Sequence, residues 1–185
     1  MKVRPIVDIK KQTEMKRELG KDEQMWGVLW IIGVSTGLRV SDLLRLRLCD
    51  TFGGVDCDSI VIRERKTGKE RRCKLSRRAR TALDEYVVTY DVSPDEALFK
   101  VSRQQVYTRM KRAGKRIGLD QIGTHTMRMT YAVNVYYLTH DLNHVQRTLG
   151  HEYRSTTVSY LERLFEESIP WAKPYFAPDI HATSA

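Results

Sequence analysis

Apolar residues along most of the chain recur three and four apart. Met25, Trp26, Leu29, Trp30 and Gly33 share such a spacing, which predicts a helix capped by Asp22 and ended by Thr36-Gly37. A short second helix is expected next, with Ser41 and Asp42 in its first turn and Leu43, Leu44 and Leu46 as its apolar positions. Residues 58–75 read differently. Ser59-Ile60-Val61-Ile62-Arg63 has the β-branched content of a strand, Thr67-Gly68-Lys69 reads as a turn, and Glu70 to Leu75 as the return strand of a β-hairpin. Ser76 caps an expected helix carrying Ala79, Leu83, Tyr86 and Val87, and Ser93-Pro94 breaks the chain after it. Four more helices are predicted: Ser102 to Ile117 with the stripe Val106, Met110, Ala113 and Ile117, Thr124 to Leu138, Asp141 to Leu149, and Ser155 to Phe165. Residues 1–20 read as a polar, basic lead-in, and the end of the chain, with Pro170, Pro174 and Pro178, as an extended tail. The expected class is mainly α with a small antiparallel β-sheet.

A chain of 185 residues is one ordinary domain and long enough to bury a core without a disulfide or metal staple. Charge changes the picture more. Lys and Arg number 32 against 23 Asp and Glu, a formal net charge of +9, and a pI near 9.6 on so small a domain favours a polyanionic partner. The excess is concentrated. Residues 63–80 hold ten Lys or Arg beside only Glu64 and Glu70, and residues 100–116 hold seven basic residues and no acid. Two such blocks, one on a hairpin and one on a helix, suit a surface that tracks phosphates. Cys49, Cys57 and Cys73 form neither a CxxC pair nor an even framework, which points to a reducing, cytoplasmic setting. The start of the chain lacks a signal-peptide pattern, and the longest apolar run, Val28 to Val34, is far short of a membrane span of about 20 residues.

Four stretches carry candidate chemistry: Ser35-Thr36-Gly37-Leu38-Arg39-Val40-Ser41-Asp42, Arg65-Lys66-Thr67-Gly68, His125-Thr126-Met127-Arg128, and Leu149-Gly150-His151 followed by Tyr160. A guanidinium donates two parallel hydrogen bonds to a pair of phosphate oxygens, and a histidine adds another donor. A tyrosine hydroxyl can attack phosphorus and form a phosphoester, but a phenol with a pKa near about 10 needs a base or a strongly positive site. A lysine at a hairpin turn can protonate a leaving oxygen. His125 and Arg128 lie three apart, on one face of a helix start, and His151 and Tyr160 can converge on them through a short connection.

The order Arg, Lys, His-x-x-Arg, Gly-His and Tyr resembles the catalytic domain of the tyrosine recombinases, the phage-integrase family, over about residues 22–165. The resemblance implies that fold and a site-specific DNA recombinase of integrase, resolvase or invertase type. Tyr160 would form a 3′-phosphotyrosine, and Arg39, Arg128 and His151 would bind the non-bridging oxygens. His125 would move the tyrosine proton, and Lys66 would protonate the 5′-oxygen, with Lys69 on the same turn as the competing choice. Asp42 would brace Arg39. The phosphotyrosine conserves the bond energy, so no cofactor and no metal are expected, in keeping with the lack of a P-loop or a carboxylate cluster. The expected DNA contacts are Arg63, Arg65, Lys69, Arg71 and Arg72 on the hairpin and Arg103, Arg109, Lys111 and Arg112 on the following basic helix. The implied partners are double-stranded DNA, other copies of the chain as a tetramer on two duplexes, and accessory DNA-bending proteins, in a bacterial or phage-encoded, nucleoid-associated setting.

Departures from the family pattern are Met127 and Met129 around the motif arginine. Met127 conserves apolar volume, and no catalytic role falls on Met129. The expected organisation is a catalytic domain over 1–165, a tail over 166–185 that packs on a neighbouring protomer, and no N-terminal core-binding domain. The alternatives are a non-catalytic DNA-binding relative of the same fold and a type IB topoisomerase-like enzyme.

Overall fold

The structure, a computed structural model, describes residues 3–52 and 59–165, with side chains through residue 161. The predicted tail over 166–185 and Cys57 lie outside the described residues. The elements run α1 (Ile9–Gly20), α2 (Gln24–Thr36), α3 (Val40–Leu43), a 3₁₀ turn (Leu48–Phe52), β1 (Ser59–Arg63), β2 (Glu70–Lys74), α4 (Arg77–Tyr90), α5 (Arg103–Arg116), α6 (Thr126–Thr139), α7 (Leu142–Leu149) and α8 (Arg154–Phe165).

Helix α2 is the axis of the fold. It is apolar all round and buried from Met25 to Thr36, as a helix enclosed by others must be. It packs against α1, α4 and α6. Its contact with α6 is close because Gly33 leaves room for Met127. One core cluster surrounds α2, including Trp30, Leu43, Ile60, Leu83, Phe99 and Met110. A second, with Val133, Val135, Val145, Leu149 and Leu161, joins α6, α7 and α8.

Three boundaries differ from expectation. The lead-in is itself half helix: Asp8 caps α1, its side chain accepting a hydrogen bond from the Lys10 N–H at 2.7 Å. The pattern was masked because two of its buried positions, Gln12 and Glu18, are polar. Gln12 Nε2 donates to the Ile6 carbonyl and to Asn134 Oδ1 on α6, so it reads as surface in sequence and is core in space. Asp22 does not cap α2. Glu23 occupies that position, and the Asp22 carboxylate accepts from Arg109 at 2.6 Å. Likewise His125, rather than Thr124, stands at the N-cap of α6.

The hairpin follows the predicted pairing, antiparallel from Ser59 opposite Lys74 to Arg63 opposite Glu70. Ile60 and Ile62 on β1 and Cys73 on β2 face the core. The turn is closed by Gly68 N–H to the Glu64 carbonyl and Glu64 N–H to the Lys69 carbonyl, each 2.9 Å. Its position on the body is set by Asp42, whose Oδ1 accepts the Arg65 N–H at 2.9 Å.

Candidate active site

Two left-handed helix caps bring the motif residues together. Gly37, with φ 60°, ends α2 in a left-handed cap, a conformation glycine adopts without penalty. Two residues later Arg39 sits at the N-cap of α3. Gly150, with φ 64°, ends α7 in the same way, and His151 follows it. Arg128 rises from the first turn of α6 into the space between these two caps.

Arg128 is 2% exposed. Its Nη1 donates to the Gly37 carbonyl at 2.7 Å and its Nη2 to the Leu149 carbonyl at 2.6 Å. A cation is favourable where helix carbonyls lack intrahelical partners. Even so, burial and then the charges of Arg71 and Arg39 push the guanidinium down to about 10. Arg39 Nη1 donates to Glu64 Oε2 at 2.9 Å. Arg71 is nearly enclosed. It bonds Glu64 Oε1 at 3.1 Å and the Thr36 carbonyl at 2.6 Å. Two guanidinium groups thus share one carboxylate, with the third, Arg128, held on backbone carbonyls beside them, and the pocket is a ready site for an anion.

Tyr160 stands over this pocket on α8. His125 and His151 both meet its ring edge-on, with centroids 6.0 and 5.5 Å away. Its hydroxyl is buried and has no hydrogen-bond partner among the described residues. Burial pushes the phenol well above its ordinary range, an effect the Arg128 charge only partly offsets. Burial, then Arg128, Arg39 and Arg71, holds the His151 ring down at about 4, so it is neutral near pH 7. Its Nδ1 pairs with Thr157 Oγ1 at 3.0 Å. Thr157 is fully buried one turn before Tyr160, and it fixes which ring edge of His151 faces the pocket. His125 is lowered in the same direction, by desolvation and by Arg128, Arg39 and Arg103.

Arg39, His125, Arg128, His151 and Tyr160 therefore converge as expected from the sequence. Lys66 is exposed at the hairpin turn. Lys69, from the same turn, lines a cleft of about 400 Å³ together with Gln146, Arg147, Gly150 and His151. Two expectations are corrected. Asp42 does not brace the Arg39 side chain: its Oδ1 takes the Arg65 N–H and lies 3.8 Å from Arg45. Glu64 holds Arg39 instead. Arg71 is not an outward DNA contact, because its guanidinium is tied to Glu64 and Thr36. Arg109 is part-exposed, bonded to Asp22 and 5.5 Å above the Trp26 ring. Arg63, Arg65, Lys69 and Arg72 on the hairpin and Arg103, Lys111 and Arg112 on α5 are exposed. Lys111 lies 5.8 Å over the Tyr107 ring.

Glu64 and the inward role of Arg71 were missed in the sequence, yet a signal for both exists. Extending the strand alternation puts Glu64 on the inward face with Ile60 and Ile62, and Arg71 with Cys73. A charged residue in each inward row marks a buried pair.

No described helix is long and apolar enough to cross a membrane. Among the described residues, no group of three or more His, Cys, Asp or Glu is placed to hold a metal ion.

Comparison with known proteins places this geometry. The chain is 33% identical over 166 residues to the probable integrase/recombinase YoeC of Bacillus subtilis, covering 86% of this chain and 89% of that protein. It is 34% identical over 152 residues to the tyrosine recombinase XerC of Herpetosiphon aurantiacus, covering 76% of this chain and 47% of that protein. The chain thus spans about half the length of this XerC relative. Its fold superposes on the XerH site-specific recombinase bound to difH substrate with a TM-score of 0.69 at 23% identity, covering 86% of this chain and 51% of that one. It superposes on the lambda integrase catalytic core with a TM-score of 0.63 at 20% identity, covering 80% and 92%. Residues 21–167 match the phage integrase family, and with the Arg39, Arg128, His151 and Tyr160 constellation carried on the fold of its catalytic domains, the chain belongs to that family.

Proposed function

We propose that this chain is a site-specific DNA recombinase that breaks and rejoins strands through a covalent bond to Tyr160. The observation that carries the reading is the packing of His125 and His151 against the Tyr160 ring, beside Arg128, in a pocket where the Arg39, Arg71 and Arg128 charges exceed the single Glu64 carboxylate.

In this reading the scissile phosphate enters between Arg39 and Arg128, which donate to its non-bridging oxygens, with His151 as a neutral N–H donor. The phosphate displaces part of the cover over the Tyr160 hydroxyl. His125 accepts the phenolic proton as the Tyr160 oxygen bonds to phosphorus. The bond from phosphorus to the 5′-oxygen breaks, and Lys66 protonates that oxygen. The products are a 3′-phosphotyrosine and a 5′-hydroxyl. A 5′-hydroxyl from a second duplex reverses the same steps and joins exchanged strands. Each positioned donor to the developing oxyanion commonly accounts for about 100- to 1000-fold in rate, and each acid–base group for about 100- to 10,000-fold.

The partners in this reading are double-stranded DNA, met by the exposed hairpin and α5 cations, and three further copies of the chain assembled on two duplexes. An accessory DNA-bending protein and a nucleoid location belong to the same proposal. The test is covalent trapping. The chain is incubated with nicked duplexes cut from its native flanking DNA, without Mg²⁺ or ATP, and run on denaturing gels beside Tyr160→Phe. An adduct absent from the variant supports the reading. Intact binding to a verified cognate site with no adduct would favour a non-catalytic DNA-binding protein.

A further inference from the structure

Glu64 is the one acidic side chain hydrogen-bonded to the site's guanidinium groups among the described residues, and it is 3% exposed. It lies just past β1 on the inward face, in the row of Ile60 and Ile62. Both of its oxygens are occupied. Oε2 accepts Arg39 Nη1 at 2.9 Å and Thr67 Oγ1 at 3.1 Å, and Oε1 accepts Arg71 Nη1 at 3.1 Å. Arg71 in turn holds the Thr36 carbonyl at the end of α2, one residue before the carbonyl that Arg128 grips. Oε1 also backs onto Gly150, directly before His151. Burial would raise the Glu64 carboxyl, but the hydrogen bonds from Arg39 and Arg71 outweigh it and keep the group ionised.

The consequence concerns Arg39. A side chain that is 23% exposed and held by one Nη keeps its remaining N–H donors for a ligand. Without the carboxylate, Arg39 would face Arg71 and Arg128 with no intervening charge and would swing toward solvent. We propose that Glu64, backed by Arg71, is a positioning residue that aims Arg39 at the scissile phosphate and, through Thr67, ties it to the turn that carries Lys66. The inference rests on the recombinase reading above. It makes Glu64 act through Arg39, without touching DNA.

Glu64→Gln keeps the shape and removes the charge. Glu64→Asp keeps the charge and shortens the reach. Groups that orient a site's ligands account for about 10- to 100-fold, and a loss of that size in adduct formation at saturating DNA is expected for both variants. DNA affinity, read by fluorescence anisotropy, should be undiminished, because removing a negative charge from a basic surface does not weaken phosphate binding. A role confined to folding predicts the opposite pattern: affinity, rate and melting temperature fall together. That result, or rates within about twofold of wild type in both variants, overturns the proposal. If the wild-type chain itself forms no adduct, the recombinase reading fails, and a separate arm decides the geometry. In ¹⁵N-arginine spectra, the Arg39 guanidinium should rotate slowly in the wild type and average freely in Glu64→Gln. Free averaging in both overturns the positioning role whatever the chemistry.

Discussion

Arg128 is the best place to ask whether the site is built for stability or for an anion, because the two answers differ in size. Holding its guanidinium at about 10 rather than 12.5 means that the empty fold disfavours the charged form by about 3 kcal/mol. The side chain is almost fully enclosed, so solvent screening takes away little of this. Its two carbonyl bonds work the other way, at about 1.5–3 kcal/mol each for a charged donor. Arg128→Met preserves much of the apolar volume, relieves the charge penalty and leaves the Gly37 and Leu149 carbonyls unpaired. These terms largely offset each other, so the unfolding free energy should fall by no more than about 3 kcal/mol. Adduct formation should nevertheless fall by about 100-fold or more. Urea unfolding at pH 7 gives the first quantity and trapping on nicked DNA the second. A bound anion repays the burial cost, so sulfate should raise the melting temperature of the wild type more than that of Arg128→Met. A loss above about 4 kcal/mol in the variant would refute the reasoning. It would mean that Arg128 mainly fastens α2 to α7 and that the charge penalty is illusory.

Other outcomes follow from the same geometry. Lys66→Ala should slow cleavage by about 100-fold or more, and a substrate with sulfur at the 5′-bridging position, which leaves without a proton, should restore it; if Lys69→Ala shows that rescue instead, the general acid is the lysine that lines the His151 cleft. His151 protonates near 6.5 when unfolded but only near 4 when folded, so between those values the unfolded chain binds more protons and stability must fall as pH is lowered. After allowance for the ring's partial exposure the effect is about 1–2 kcal/mol, and His151→Gln should flatten that part of the urea-unfolding profile; an unchanged slope would contradict the assignment. Gly37→Ala adds a left-handed non-glycine residue whose Cβ collides with the Tyr131 ring, and a loss of about 2–4 kcal/mol with slowed cleavage is expected, because Arg39 hangs two residues beyond it. A near-wild-type melting temperature would show that the cap relaxes freely.

What was legible in the sequence, and what was not, divides along a physical line. The candidate reacting groups were legible because phosphoryl transfer needs particular side chains, and their spacing is kept by helix turns and caps that are local: His125 and Arg128 on one helix start, His151 and Tyr160 on either side of one short connection. The hairpin was legible for the same reason, since its β-branched strand and Gly68 turn are contiguous. The supports were not. Asp42 stands three residues from Arg39 and looks like its brace, yet α3 turns the carboxylate toward the Arg65 amide. The true partner, Glu64, is 25 residues away, and only the fold brings it there. Arg71 was counted as a DNA contact by its charge alone, because a block of ten cations invites an outward reading; its strand parity, opposite Ile62, points inward. Gln12 and Asn134, 122 residues apart, make a buried amide pair that no local pattern announces. Parity was the one available sign for Glu64 and Arg71, and it carries the same consequence for both. Charged residues in the inward rows of a two-stranded sheet must meet each other, and where two cations share one carboxylate, the surplus charge is left for what binds. The basic hairpin thus has two different faces: outward cations open to solvent, and an inward Glu64–Arg71 pair hydrogen-bonded to the arginine of the first motif.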